Sequence, residues 1–223
     1  MIKAYLDTES LSLRMGEFFS KFNITPNGWT LISLVPAAAG FFVLAQPSYV
    51  SSFISPLIFA FFLFALSSML DVIDGAVARY NGLATERGAF IDGIADRYVE
   101  VLLYMGLLVY LESLKSQGTA LDFIVSPGVW ICLLIFGAIM PTYARAYADH
   151  RKLITDPADL KRMGGFLERA ERLILILSGM LVGAFNINFL VYIIAAACVL
   201  SNFTAIQRIY FALRYKGGGV DKS

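Results

Sequence analysis

Residues 53–96 read FISPLIFAFFLFALSSMLDVIDGAVARYNGLATERGAFIDGIAD. The first 18 residues of this stretch carry no charge and are long enough to cross a bilayer. Four aspartates follow them, Asp71, Asp74, Asp92 and Asp96. Carboxylates beside a membrane span are costly, so they indicate a functional site. On helices the first two form an i,i+3 pair, and the last two follow Gly88 in steps of four along one face. Two facing helices would bring all four carboxylates into one pocket.

The residues between the aspartates favour a metal-dependent reaction at a phosphate group. Four clustered negative charges repel one another, and a bound divalent cation relieves that repulsion. Ligands that are all oxygen favour a hard ion such as Mg²⁺, Mn²⁺ or Ca²⁺. Gly75 and Ala78 allow a ligand to approach the backbone closely, and Arg79 supplies a forked cation for phosphate. The alternative is that the carboxylates only form salt bridges at helix ends.

The composition predicts an all-α integral membrane protein. Of the 223 residues, 58% are hydrophobic and only 16% are charged, whereas soluble domains have about a quarter charged. Pro, Gly, Ser and Asn clusters divide the apolar runs into six transmembrane helices. We expect these near 29–46, 53–79, 88–111, 127–148, 166–185 and 189–214. The net charge of +1 indicates no particular partner, and we expect no nucleic acid.

Three regions are expected along the chain. Residues 1–22 are predicted to form an amphipathic juxtamembrane helix on the membrane surface, since apolar residues recur on one helical face. This stripe consists of Leu11, Met15, Phe18, Phe19 and Phe22. Residues 23–216 form the six-helix transmembrane catalytic domain, with 112–126 as a loop on the outer side. Residues 217–223 are expected to be a disordered tail.

The distribution of basic residues predicts the orientation in the membrane. Six spans place both termini on the same side, and of the 18 lysines and arginines only Lys115 falls on the other side. Loops rich in lysine and arginine remain cytoplasmic. We therefore expect a multi-pass protein of the cell membrane, with its termini and its aspartates on the cytoplasmic side.

The pattern of the central motif resembles the signature of the CDP-alcohol phosphotransferase family. Its eight fixed residues and both gaps match Asp71, Asp74, Gly75, Ala78, Arg79, Gly88, Asp92 and Asp96. The resemblance implies transfer of a phosphoryl-lipid group from a CDP-linked lipid to a small alcohol acceptor, with release of CMP. Proteins that resemble this one are homodimers, which implies a homodimer here as well.

The resemblance also implies roles for individual residues. It implies that two Mg²⁺ or Mn²⁺ ions are held by Asp71, Asp74, Asp92 and Asp96. Asp96 is the candidate catalytic base for the acceptor hydroxyl. It is also a candidate metal ligand, and it can have either role or both. The residues expected to bind the nucleotide are Asn27, Gly75, Ala78, Arg79, Thr85 and Gly88. The segment 25–27, Thr-Pro-Asn, is equally typical of a helix start.

Basic residues near the ends of the last three spans are candidates for binding the acceptor. They are Arg145, Arg169, Arg172 and Arg208. Each alone is also explained as a membrane-surface charge, but together they can cage an acceptor that carries a phosphate. Segments 143–146 and 165–172 resemble those of phosphatidyl- and archaetidylinositol phosphate synthases, although Tyr147 stands where those proteins usually have a basic residue. Inositol phosphate is therefore the favoured acceptor, with glycerol-3-phosphate or serine as alternatives.

Two other classes of membrane protein also place aspartates within spans. Intramembrane prenyltransferases bind Mg²⁺ and diphosphate at two separate Asp-rich motifs, whereas this chain has one compact cluster. Ion-coupled transporters are built from inverted repeats, and the sequence has no evident internal symmetry. Release of CMP from a CDP-linked lipid would exclude both classes.

Overall fold

The computed structural model describes residues 2–49, 55–119 and 125–215, and within these ranges the chain is helical without strands. The helices are α1 Ile2–Ser20, α2 Pro26–Ala45, α3 Pro56–Tyr80, α4 Glu86–Ser116, α5 Pro127–His150, α6 Pro157–Arg162, α7 Arg169–Gly183 and α8 Ile187–Arg214. A 3-10 turn follows α2 at Pro47–Tyr49. The expected tail at 217–223 and positions 120–124 of the expected outer loop lie outside the described residues.

Four of the described helices, α2, α3, α5 and α8, are long and apolar enough to cross a membrane. This agrees with the membrane protein predicted from composition. The helix α7 has only 15 residues, and the 31-residue α4 carries charges along both ends. Proline stands in the first turn of α2, α3, α5 and α6, where its missing N–H costs no hydrogen bond.

The chain forms two compact units, and the first covers residues 1–110. In this unit α3 packs against both α1 and α2. Gly16 of α1 lies so close to the Ala76 backbone that a Cβ atom would overlap it, so glycine permits this approach. Part of the predicted apolar stripe, Met15 and Phe19, packs on a cluster around buried Trp29. The rest of the stripe is exposed, namely Leu11, Phe18 and Phe22.

In the second unit, residues 111–223, α8 packs against α5 and α7. A side-chain amide links two of these helices, because Asn202 of α8 donates to the Leu133 carbonyl of α5 at 3.0 Å. The same amide lies against Gly137, where a side chain would push the helices apart. Pro141 is buried within α5, and the helix continues through it to His150.

The fifth predicted span begins later and ends earlier than expected, since α7 covers Arg169–Gly183 instead of 166–185. The two residues directly before α7 bond their backbone N–H groups to side chains. The Leu167 N–H donates to Thr204 Oγ1 at 3.0 Å, and the Glu168 N–H donates to the Glu171 carboxylate at 2.7 Å. The second bond is one half of a capping box, which fixes the start of the helix.

Candidate functional site

A short connection turns the chain back between the two helices that carry the aspartates. Helix α3 ends at Tyr80, and Gly82 adopts a left-handed φ of 65°, which glycine tolerates without strain. The Leu83 N–H then donates to the Ala78 carbonyl at 2.9 Å. Thr85 caps the next helix, because its hydroxyl accepts a hydrogen bond from the Gly88 N–H at 3.1 Å. The connection therefore brings the start of α4 back to the end of α3.

Three of the four predicted metal-binding carboxylates meet at this point. One oxygen atom each from Asp71, Asp74 and Asp92 lies within 4.8 Å of the other two. Asp74 is only 6% exposed, and the other two aspartates are half-buried. Three carboxylates at this separation repel one another, and oxygen ligands suit a hard divalent cation. The triad can therefore hold a metal ion.

Asp96, the fourth predicted carboxylate, follows Asp92 by one turn of α4 but is not part of the triad. It is half-buried. One turn further along, Glu100 is 1% exposed and forms an ion pair with Arg97 at 2.6 Å. Tyr104 also donates a hydrogen bond to Glu100 at 3.1 Å. The Glu100 carboxylate is thus neutralised by its own helix.

A pocket of about 190 Å³ opens beside the triad, and Asp74 and Asp92 form part of its wall. All six residues predicted to bind the nucleotide line it. They are Asn27, Gly75, Ala78, Arg79, Thr85 and Gly88. The spacing along α3 and α4 and the start of α2 therefore bring together every residue of that prediction.

Small residues leave room for Arg79 and Thr85 beside the pocket. A Cβ atom on Gly75 would lie 3.2 Å from Arg79 Nη1, and one on Gly88 would lie 3.2 Å from Thr85 Oγ1. These separations are tight for carbon, so a larger residue at either position would displace a pocket side chain. At the start of α2, Thr25 caps the helix by accepting from the Gly28 N–H at 3.2 Å. The helix-start interpretation of this segment is therefore confirmed.

Two residues that the sequence analysis missed support the site. Ser12 of α1 accepts hydrogen bonds from Arg79 Nε at 3.2 Å and Nη2 at 2.8 Å. Thr30 of α2 donates to Asp74 Oδ2 at 2.5 Å. The sequence does contain a signal that could have indicated Thr30. It is a polar residue in an apolar span and lies three residues after Asn27, so the two share a helical face.

In the second unit, the buried Arg208 is bonded to two other elements. Its Nη1 donates to the Pro141 carbonyl at 2.9 Å, and its Nη2 forms an ion pair with Glu168 Oε1 at 3.3 Å. The Arg208 side chain is 8% exposed, whereas the Glu168 side chain is 53% exposed. A buried guanidinium therefore forms an ion pair with a partly solvated carboxylate.

Further arginines surround Arg208. Arg145 and Arg172 are close enough to act on it electrostatically, and Arg172 is itself only 2% exposed. Arg145 Nη2 donates to the Met163 carbonyl at 2.9 Å. Arg169, the fourth predicted arginine, is half-buried at the start of α7. The group of Arg145, Arg172 and Arg208, here called the arginine cluster, thus has the character of a site for a multiply charged anion.

Comparison with known proteins gives consistent results. An archaetidylinositol phosphate synthase of Aeropyrum pernix is 34% identical over 88% of this chain and 87% of its own length. One from Pyrococcus horikoshii is 31% identical over 89% of each chain. A Mycobacterium tuberculosis phosphatidylinositol phosphate synthase with CDP-DAG bound has the same fold, with a TM-score of 0.73 at 22% identity over 92% of this chain and 94% of that one.

A second structure of that mycobacterial enzyme, in complex with manganese and citrate, gives a TM-score of 0.72 at 23% identity, covering 91% of this chain and 89% of that one. The family model for CDP-alcohol phosphatidyltransferase matches residues 23–208. That match contains the whole central motif and all four predicted arginines. The chain therefore belongs to the CDP-alcohol phosphatidyltransferase family and is a CDP-alcohol phosphotransferase.

Proposed function

We propose that this enzyme transfers a phosphoryl-lipid group from a CDP-linked lipid to inositol phosphate and releases CMP. The observation that carries the proposal is one pocket. Two carboxylates of the triad, Asp74 and Asp92, line it together with all six residues predicted to bind the nucleotide. A donor diphosphate in this pocket would lie between carboxylate-bound cations and the guanidinium of Arg79. The family resemblance adds the direction of the reaction.

Divalent cations, Mg²⁺ or Mn²⁺ and two in number, would neutralise the charge on the donor diphosphate and on the departing CMP. Asp71, Asp74 and Asp92 are the proposed ligands in the triad, with Asp96 as a further ligand. Only oxygen donors are present at the triad, which supports a hard ion. The mycobacterial enzyme of the same fold was solved in complex with manganese, which supports this choice of ion.

Asp96 is also the proposed general base, since it continues the Asp92 face by one turn and remains outside the triad. In this role a carboxylate oxygen of Asp96 accepts the proton of the acceptor hydroxyl while the hydroxyl oxygen attacks phosphorus. A carboxylate that binds a metal tightly is a weak base, so its position outside the triad favours the proton-accepting role.

Arg79 is the proposed donor-binding cation. Its guanidinium lies on the pocket wall beside Gly75, and Ser12 holds two of its nitrogen atoms. A planar guanidinium held in this way is oriented for bidentate binding of a phosphate. The other nucleotide residues, Asn27, Ala78, Thr85 and Gly88, are proposed to shape the walls around the cytidine.

The arginine cluster is the proposed binding site for the phosphate of the acceptor. Arg145 and Arg172 lie close enough to Arg208 to act on its charge, and a bound phosphate would be stabilised by these neighbouring guanidiniums. The two archaeal relatives are archaetidylinositol phosphate synthases, which supports inositol phosphate over glycerol-3-phosphate. Free serine has no phosphate for the cluster to bind. Arg169, half-buried at the start of α7, is proposed as a fourth acceptor-binding residue.

The proposed membrane arrangement has six spans, with α4 and α7 added to the four apolar helices. Helix α4 has 31 residues, which at about 1.5 Å per residue is long enough to cross a bilayer. Its charged first turns carry the proposed catalytic carboxylates Asp92 and Asp96. For α7, the charges at its start would lie at the level of the lipid headgroups. The exposed apolar side chains of α1, Leu11 and Phe18 among them, support a helix on the membrane surface.

Three further parts of the proposal concern organisation. The catalytic domain covers residues 23–216, after the surface helix of 1–22 and before the tail of 217–223. The termini and the active site are proposed to face the cytoplasm of a cell membrane, since 17 of the 18 lysines and arginines fall on that side of the six-span arrangement. The working unit is proposed to be a homodimer.

The test is release of CMP from a CDP-linked lipid with inositol phosphate, glycerol-3-phosphate and serine supplied in turn. Loss of one bidentate contact costs roughly 1.5–3 kcal/mol. The variants Arg145→Ala and Arg208→Ala should therefore raise KM for inositol phosphate about ten- to hundredfold, with donor binding nearly unchanged. Arg79→Ala should instead weaken donor binding.

The matched control is Arg162→Ala, which removes an exposed arginine that is paired only weakly with Asp159. Its kinetics should remain those of the wild type. If Arg145→Ala and Arg208→Ala leave inositol phosphate kinetics untouched, or if serine is the best acceptor, the assignment of the acceptor is wrong. The reaction class would still stand, because it depends on CMP release alone.

A further inference from the structure

A buried hydrogen bond connects the start of α2 to the carboxylate triad. Thr30 is 2% exposed and Asp74 is 6% exposed, and Thr30 Oγ1 lies 2.5 Å from Asp74 Oδ2. The same hydroxyl lies 3.2 Å from the Pro26 carbonyl. A hydroxyl has only one proton to donate, and the shorter bond to a charged acceptor takes it. Thr30 therefore donates to the aspartate.

This hydrogen bond restrains the Asp74 carboxylate from a second helix, in addition to the hydrogen bond from the Gly75 N–H of its own helix. The terminal torsion of an aspartate side chain has a broad, roughly two-fold preference, so the bonded neighbours set the plane of the carboxylate. Thr30 is branched at Cβ and lies one turn after Pro26, so few positions are open to its hydroxyl. A restricted donor beside a rotatable carboxylate fixes the plane of that carboxylate.

Two serines donate to backbone carbonyls of α2 near Thr30, and neither contacts the Thr30 hydroxyl in these bonds. Ser33 donates to the Thr30 carbonyl at 2.7 Å, and Ser67 of α3 donates to the Ser33 carbonyl at 2.8 Å. Both serines are only 1% exposed. The three residues, here called the polar seam, are buried and connect α2 to α3 one helical turn before Asp71. Within the seam, Thr30 contacts a carboxylate, that of Asp74.

We propose that Thr30 is a positioning residue of the metal centre, whose hydroxyl holds the Asp74 carboxylate turned toward Asp71 and Asp92. The inference rests on the proposed function, because it takes the triad to be the metal site. Groups that orient a metal ligand in this way typically change metal affinity 10–100-fold when they are removed. Thr30 thus sets how tightly the triad binds its cation by acting through the Asp74 carboxylate.

The experiment measures Mn²⁺ binding to the purified protein without substrate, by electron paramagnetic resonance of the free ion. Thr30→Val removes the hydroxyl and keeps the shape, and it should weaken Mn²⁺ binding about 10–100-fold. Thr30→Ser keeps a hydroxyl and should restore affinity close to that of the wild type. Ser67→Ala is the matched control, because it removes a buried hydrogen bond of the same seam that reaches no carboxylate. Its affinity should equal that of the wild type.

Unchanged Mn²⁺ affinity in Thr30→Val would overturn the inference and leave the proposed function intact. Equal losses in Thr30→Val and Ser67→Ala would also overturn it, because the seam would then act only through packing. If the wild type itself binds no Mn²⁺, the metal centre and the role of Thr30 both fail. Should Thr30→Val not fold, Thr30→Cys replaces it, with a weak thiol donor and an expected intermediate loss of affinity.

Discussion

Replacing Glu168 by glutamine should improve binding of inositol phosphate. The Glu168 carboxylate is an anion already placed on Arg208, at 3.3 Å from Nη2. An acceptor phosphate that binds Arg208 must therefore displace this carboxylate or share the guanidinium with it. Glutamine keeps the length and shape of the side chain and removes the competing charge. The variant should have a lower KM for inositol phosphate and an unchanged KM for the CDP-linked lipid.

The geometry limits the size of the effect. The distance of 3.3 Å exceeds the 2.7–2.9 Å typical of a strong charge-assisted bond, and the Glu168 side chain is 53% exposed. Ion pairs of this kind contribute about 0–1 kcal/mol. Removing the competitor can then lower KM by at most about fivefold, since about 1.4 kcal/mol corresponds to a factor of ten. The decrease should shrink at high salt, where exposed charges are screened.

The assay is steady-state CMP release at saturating CDP-linked lipid, with inositol phosphate varied at two ionic strengths. Glu171→Gln is the matched control, because Glu171 lies on the same turn and bonds to the Glu168 N–H instead of to Arg208. A higher KM in Glu168→Gln would mean that the carboxylate orients Arg208 and does not compete with the acceptor. Equal decreases in both variants would indicate a general effect of charge. Either result would refute the reasoning.

Three further predictions concern the metal, the orientation and the packing. A chelator should abolish CMP release, Mg²⁺ or Mn²⁺ should restore it, and Asp92→Asn should lower turnover by orders of magnitude; full activity in chelator would contradict the metal scheme. A cysteine at Ala158, in a background without the native cysteines, should be labelled only from the cytoplasmic side, and labelling from outside would reverse the topology. Gly165→Ala should lower stability by about 1–3 kcal/mol, because its Cβ would overlap Thr204, as a reduced melting temperature would show. Gly164→Ala, whose Cβ would meet only the Arg162 carbonyl oxygen at an ordinary 3.9 Å, is its control, and equal stability of the two would be inconsistent with the packing.

The central site was predictable because its residues follow helical spacing. The i,i+3 pair at Asp71 and Asp74 and the steps of four from Gly88 fix which side chains share a face. The Asn-Gly turn at 81–82 then makes those faces meet. Local periodicity and turn chemistry therefore sufficed for Asp71, Asp74 and Asp92, but they also placed Asp96 with these three, and it lies outside the triad. The residues of the pocket, Asn27 among them, were expected from the family resemblance.

The partners of the charged side chains were not predictable in the same way. Ser12 lies 67 residues from Arg79, and Glu168 lies 40 residues from Arg208. Periodicity indicates which face of a helix is buried, but it does not identify the side chain that lies opposite. The start of α7 was missed for a related reason, since the Leu167 N–H bonds to a side chain of another helix, Thr204.

The bond between Ser12 and Arg79 has a consequence for how this protein is handled. Arg79 belongs to the central motif, yet the atom that holds its guanidinium belongs to α1, which precedes every motif residue. A chain that begins after Ser12 would keep the complete signature and lose the two hydrogen bonds that hold the Arg79 guanidinium. Under the role proposed for Arg79, removal of α1 should therefore weaken donor binding, as a substitution in the pocket would.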